Sequence, residues 1–198
     1  HGIAIDMEKF AAALEKHQEL SRAGAGERFK GGLGDTSEMS VRYHTATHLL
    51  HQALREVLGD HVAQKGSNIT PERLRFDFAH TTKMTDEEKK RVEDIVNAQI
   101  DKALPVQVAT LSKEDAEKTG ALHFFGEKYG DSVTVYFVGE SMDDAFSKEF
   151  CGGPHVKNTA ELAGTAEADA DKAGKMRFKI AKEEAVAQGV RRIKAVLA

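Results

Sequence analysis

Between Tyr43 and Leu58 the apolar positions Leu50, Leu54, Val57 and Leu58 recur at helical spacing, and Gly59 supplies a natural stop. From Arg73 to Phe78 the period changes to two: Leu74, Phe76 and Phe78 alternate with Arg73, Arg75 and Asp77, the signature of a half-buried strand. Thr85 through Glu88 forms a capping box that opens a long helix, with Val92, Ile95, Val96 and Ala103 as its buried face and Pro105 just beyond its end. A short helix near Ser112–Lys118 follows, then a glycine-punctuated stretch from Gly120 to Gly130 and a strand over Val133–Val138. Met176–Ile180 and Val190–Val196 read as two further strands with a short helical segment between them.

The flanking segments are more polar. Asp6 to about Arg22 has the spacing of a helix, with Phe10, Leu14 and the alanines on one side. The glycines from Gly24 to Gly34 then make a flexible run ending near Ser40, so residues 1–40 are expected to be an N-terminal helix and connector, and 41–198 the functional domain. Thr165 to Lys175, small and polar, suggests an exposed loop insertion. There is no internal repeat. Helices and strands mix without regular βαβ alternation, which points to an α+β fold, helices packed on a mainly antiparallel sheet.

A chain of 198 residues, 40% of them hydrophobic, can bury the core of one ordinary domain. No apolar run approaches the ~20 residues that span a bilayer, and no signal-peptide pattern is present, so no membrane partner is expected. A single cysteine excludes an internal disulfide and fits the reducing cytoplasm. The net charge of −4 hides an asymmetry: between Lys175 and Lys194, seven basic residues against Glu183 and Glu184 leave +5. Such a run is ordinarily a solvated face, with a phosphate-bearing partner as the alternative.

The chemistry concentrates in two short pieces. His44-Thr45-Ala46-Thr47-His48 places two imidazoles at i, i+4, on one face of a helix, where both can meet one ion. Far along the chain, Cys151-Gly152-Gly153-Pro154-His155 sets the only cysteine beside a histidine in a tight, non-helical loop. Neutral imidazole nitrogen and thiolate both suit Zn²⁺. Together the halves predict one tetrahedral zinc site with His44, His48, Cys151 and His155 as ligands. His51, one turn beyond His48, is either a supporting donor or a packed helix histidine, and His61 and His80 read as ordinary polar residues.

Five co-linear segments carry a resemblance: His44-Thr-Ala-Thr-His-Leu-Leu-His51, Gln64-Lys-Gly-Ser67, Leu74-Arg-Phe-Asp-Phe78, Cys151-Gly-Gly-Pro-His-Val-Lys-Asn-Thr159 and Gly189-Val-Arg-Arg-Ile-Lys-Ala195. Over roughly residues 40 to 198 the chain resembles the editing domain of alanyl-tRNA synthetases, whose fold is shared with threonyl-tRNA synthetases. The family usually has threonine where Pro154 stands, and proline there is familiar from the threonyl type. The resemblance implies an excised piece of an alanyl-tRNA synthetase, acting with the rest of that synthetase in cis. It implies a zinc-dependent aminoacyl-tRNA deacylase, whose partner is the acceptor end of tRNA(Ala) mischarged with serine or glycine. Thr47 and Gln64 match positions associated with substrate discrimination. Without the resemblance, they read as an ordinary helix residue and a loop polar group. Cys151 is expected to serve catalysis through the metal. Arg191 and Arg192 are candidates for RNA phosphate contact, and on a strand they would point to opposite faces. The competing readings are a stand-alone deacylase of the same family, threonyl-type editing of Ser-tRNA(Thr), and a non-catalytic RNA-binding zinc module.

Overall fold

The computed structural model of the chain describes residues 33–123, 130–164 and 175–198. The expected Asp6–Arg22 helix, the glycines from Gly24 to Gly32, most of the Gly120–Gly130 stretch and the insertion up to residue 174 lie outside the described residues. The secondary structure runs α1 (Glu38–Leu58), β1 (Gln64–Thr70), β2 (Arg73–Ala79), α2 (Asp86–Asp101), β3 (Val106–Ser112), α3 (Lys113–Lys118), β4 (Ser132–Val138), β5 (Ser147–Phe150), a 3₁₀ turn (Thr159–Ala163), β6 (Phe178–Ala187) and β7 (Val190–Leu197). The strands form two antiparallel sheets, one ordered β1-β2-β7-β6 and the other β3-β4-β5, so the fold is α+β as expected.

Helix α1 is the axis of the fold. Ser37 caps it, its hydroxyl accepting from the Ser40 N–H at 3.3 Å, and Glu38 sits favourably in the first turn. It ends at Gly59, whose φ of 111° suits only glycine and whose N–H returns to the Arg55 carbonyl. Every residue from Tyr43 to Leu50 is buried, polar ones included. Leu49, Leu50 and Leu54 join Leu74, Phe76, Phe78 and Ile193 in the core, while the polar side of α1 faces β5 and the loop after it. Burial on every side explains why the leucine stripe alone understates this helix. The helix also starts earlier than Tyr43, and Leu33, 1% exposed and bridged to Ile69, belongs to the core rather than to a connector.

Helix α2 carries the expected capping box at Thr85 and Glu88. Its buried face is Val92, Val96, Gln99 and Ile100. Ala103 instead lies past the helix end, exposed and in the left-handed region at φ 52°. The largest difference concerns the basic C-terminal segment. No helix separates two strands there; β6 continues unbroken to Ala187 and turns at Gly189 into β7. Lys182-Glu183-Glu184-Ala185 is a good helix sequence in isolation, but pairing with β7 overrides that weak preference. Strands β1 and β5 carry polar or short sequences and gave no period-two signal, and β3, whose burial alternates along its length, was not anticipated either.

Candidate metal centre

The two ligand segments meet. His44, His48, Cys151 and His155 present one donor atom each, and all four atoms lie within 4.8 Å of one another. Cys151 Sγ is 3.4 Å from His44 Nε2 and 3.4 Å from His155 Nε2. The edge between nitrogen and sulfur in a tetrahedral zinc site, built from the usual bond lengths, is about 3.6 Å. The donor set and these two sulfur–nitrogen distances therefore fit zinc.

The backbone and neighbouring side chains set the tautomers. His44 Nδ1 lies 2.9 Å from the Pro154 carbonyl, which can only accept, so Nδ1 carries the proton and Nε2 offers its lone pair to the ion. Thr45 organises the other side: its hydroxyl lies 3.0 Å from His155 Nδ1, accepts from the Val156 N–H at 3.2 Å and faces the Val41 carbonyl at 3.4 Å. Donation of its own proton to Val41 leaves it to accept from His155 Nδ1–H, again freeing Nε2. The rings of His44 and His155 stack with centroids 4.0 Å apart, and Tyr136 packs on His155 at 4.3 Å.

Burial keeps these imidazoles neutral, the state a metal requires. Desolvation, aided by nearby His48, pushes His44 down to about 3. His155 falls well below the ordinary histidine value, through burial and then the neighbouring His48 and His44. Burial also lowers His48, against the opposing pull of Glu149.

Glu149 is the residue that sequence reasoning missed. Its carboxylate receives His51 Nδ1–H at 3.0 Å and lies 3.7 Å from His48 Nε2, although it is only 7% exposed. Burial pushes its carboxyl up, but the His48 and His51 rings outweigh that and hold it below the usual glutamate value. A signal existed: Glu149 and Cys151 are two apart, and an extended backbone places both on one face. His51, set on α1 between Glu149 and the Phe76 ring at 5.2 Å, is both a supporting donor and a packed histidine.

The other predicted residues sit on α1, β1 and β7. Thr47 is buried on α1, with its hydroxyl donating to the Tyr43 carbonyl at 2.8 Å. Gln64 opens β1 opposite Phe78, a strand position rather than a loop. Arg192 makes a two-pronged ion pair with Asp77, at 2.7 and 2.8 Å, and Arg191 pairs with Glu183. Both arginines are thus occupied within the sheet, on opposite faces. His61 and His80 are joined by a hydrogen bond of 2.9 Å away from the ligands.

Among the described residues no helix is long and apolar enough to cross a membrane. The family model for the threonyl and alanyl tRNA synthetase second additional domain matches residues 133–165, a span that includes β4, β5 and the Cys151–His155 loop. The chain is 54% identical to the alanine–tRNA ligase of Treponema denticola over 196 residues, covering 99% of this chain and 30% of that protein. It is 53% identical to the enzyme of Borrelia hermsii over 197 residues, covering 100% of this chain and 30% of that one. With the Treponema pallidum enzyme the identity is 52%, covering 99% of this chain and 29% of that protein. The chain thus spans about 30% of the length of these curated relatives.

Proposed function

We propose that this chain, which matches the family model for the threonyl and alanyl tRNA synthetase second additional domain over residues 133–165 and is 54% identical to a segment of an alanine–tRNA ligase, is the editing domain of such an enzyme. It hydrolyses the ester that joins serine or glycine to tRNA(Ala). The convergence of His44, His48, Cys151 and His155 carries this reading. Two nitrogen lone pairs are aimed at the cluster by the Pro154 carbonyl and the Thr45 hydroxyl, an arrangement whose best use is to hold a cation.

The chemical need is plain. A synthetic site sized for alanine cannot exclude smaller glycine and rejects serine only modestly, so a second, hydrolytic site supplies the missing discrimination. Water adds to the ester carbonyl, and the bond to the terminal ribose oxygen breaks. The products are the free amino acid and the ribose hydroxyl, which regains a proton. When bound, zinc supplies positive charge that polarises or positions the reacting groups. The chain's own residues do the rest. Thr45 and Pro154 orient the His155 and His44 rings through hydrogen bonds, and the Glu149 carboxylate lies 3.7 Å from His48. Thr47 commits its proton to the Tyr43 carbonyl, so its hydroxyl can accept a hydrogen bond from the serine hydroxyl and distinguish serine from alanine. Gln64 is the second discriminating group.

Pro154 does not favour the threonyl type. It serves the site through its backbone carbonyl, which any residue would provide. Rates of deacylation of Ser-tRNA(Ala) and Ser-tRNA(Thr), measured side by side, test the assignment. Preference for the alanine tRNA is expected, and equal or reversed preference would replace it with the threonyl reading.

A further inference from the structure

We propose that the outward face of the four-stranded sheet is a docking surface for an RNA phosphate backbone. The basic C-terminal run, which sequence alone read as a solvated face, acquires a geometry from the strand register. Arg75 pairs with Lys194, and Lys194 pairs with Lys182, so three cations lie in one row across β2, β7 and β6. Alternation puts Arg73 on the same face to one side of this row and Arg192 to the other, and the register shift between Ile180 and Lys182 brings Lys179, paired with Val196, onto that face beside Arg73. Six cations thus share the face with two carboxylates within these rows, Asp77 and Glu184, a balance of +4 on a chain whose net charge is −4.

Like charges directly opposite on neighbouring strands oppose folding, and this sheet keeps three in line. The two carboxylates only partly compensate. Asp77 is held by Arg192 at 2.7 Å, and Glu184 lies between Lys182 and Lys194. The row remains open to solvent: the side chains of Lys182, Lys194 and Arg75 are 58%, 42% and 29% exposed. Strands set about 4.8 Å apart hold the cations as a flat array rather than as independent flexible arms. Such an array complements a line of phosphates, and neutralising them releases condensed counterions. The opposite face of the sheet packs on α1, which carries two of the four candidate metal ligands, His44 and His48. The RNA segment bound here is therefore a part remote from the aminoacyl end, and the contact adds grip without reading sequence.

This inference rests on the reading that the domain acts on RNA, but its test does not require deacylation. Binding of fluorescently labelled, uncharged tRNA(Ala) is followed by anisotropy over a range of salt for the full chain, for Lys182→Ala/Lys194→Ala, and for Lys113→Ala/Lys118→Ala. The last pair lies on α3, 49% and 64% exposed, and lowers the net charge equally. The sheet pair is expected to weaken binding roughly tenfold at low salt and to flatten the logarithmic salt slope by about 2. The α3 pair should change neither. Zinc content and thermal midpoint confirm that both variants remain folded. Equal loss from the two pairs would reduce the effect to net charge and overturn the proposal. It also falls if the sheet pair leaves binding intact, which would turn attention to an acidic protein segment, or if the parent chain does not bind the RNA.

Discussion

Thr45→Val offers a sharp test of how the metal centre is built, because the two side chains have nearly the same shape and only the hydroxyl is lost. That hydroxyl meets His155 Nδ1 at 3.0 Å and the Val156 N–H at 3.2 Å, and Thr45 is fully buried. The substitution strands both donors where water has little access. An orphaned buried donor costs about 1–3 kcal/mol, so the pair predicts a loss of roughly 2–6 kcal/mol in stability. His155 also loses the contact that fixes its tautomer, and such supporting bonds are worth about 10–100-fold in metal affinity. Urea denaturation of the metal-free protein reads the first quantity, and competition with a colorimetric zinc chelator reads the second. Thr45→Ser, which keeps the oxygen, should recover most of the zinc affinity. If Thr45→Val binds zinc within about threefold of the parent, the hydroxyl does not orient His155 and this account of the tautomers is wrong.

Acidification should destabilise the metal-free protein. The unfolded chain protonates His44 near pH 6.5 whereas the folded site resists until about 3, so the folded state binds fewer protons in that window. Stability is full above pH 6.5 and falls with decreasing pH, by about 1.4 kcal/mol per pH unit from this residue alone. His48 and His155 shift in the same direction, and a urea midpoint that stays flat from pH 7 to 5 would contradict their burial as neutral rings. Phe76→Ala, deep in the core and against His51, should cost about 3–5 kcal/mol and lower the thermal midpoint accordingly. Gly139→Ala would place a methyl 2.9 Å from the Ala145 backbone at a φ of 151°, so a loss of about 1–3 kcal/mol is expected, and an unchanged melting temperature would refute the strain.

The grouping of His44, His48, Cys151 and His155 was legible because donors suited to a metal leave compact signals: a histidine pair at helical spacing, and the sole cysteine four residues before another histidine. The strands that position these ligands were less so. β5 is only Ser147–Phe150, too short for an alternation to register, and with it went the view of Glu149 as a partner of His48 and His51. β1 begins Gln-Lys-Gly-Ser-Asn, a sequence that reads as a loop until β2 pairs with it. At the C-terminal hairpin, local propensity pointed to a helix and long-range pairing won. The supporting contacts of Thr45 and of the Pro154 carbonyl depend on two segments meeting in space, which no local pattern encodes.

The most direct test of the central claim is hydrolysis of Ser-tRNA(Ala) by this chain, with and without a chelator, beside Cys151→Ala. Clearance that the chelator abolishes, that added zinc restores and that the variant lacks is the expected result. Clearance indifferent to the chelator, or Ser-tRNA(Ala) that survives a zinc-loaded protein, would contradict the claim.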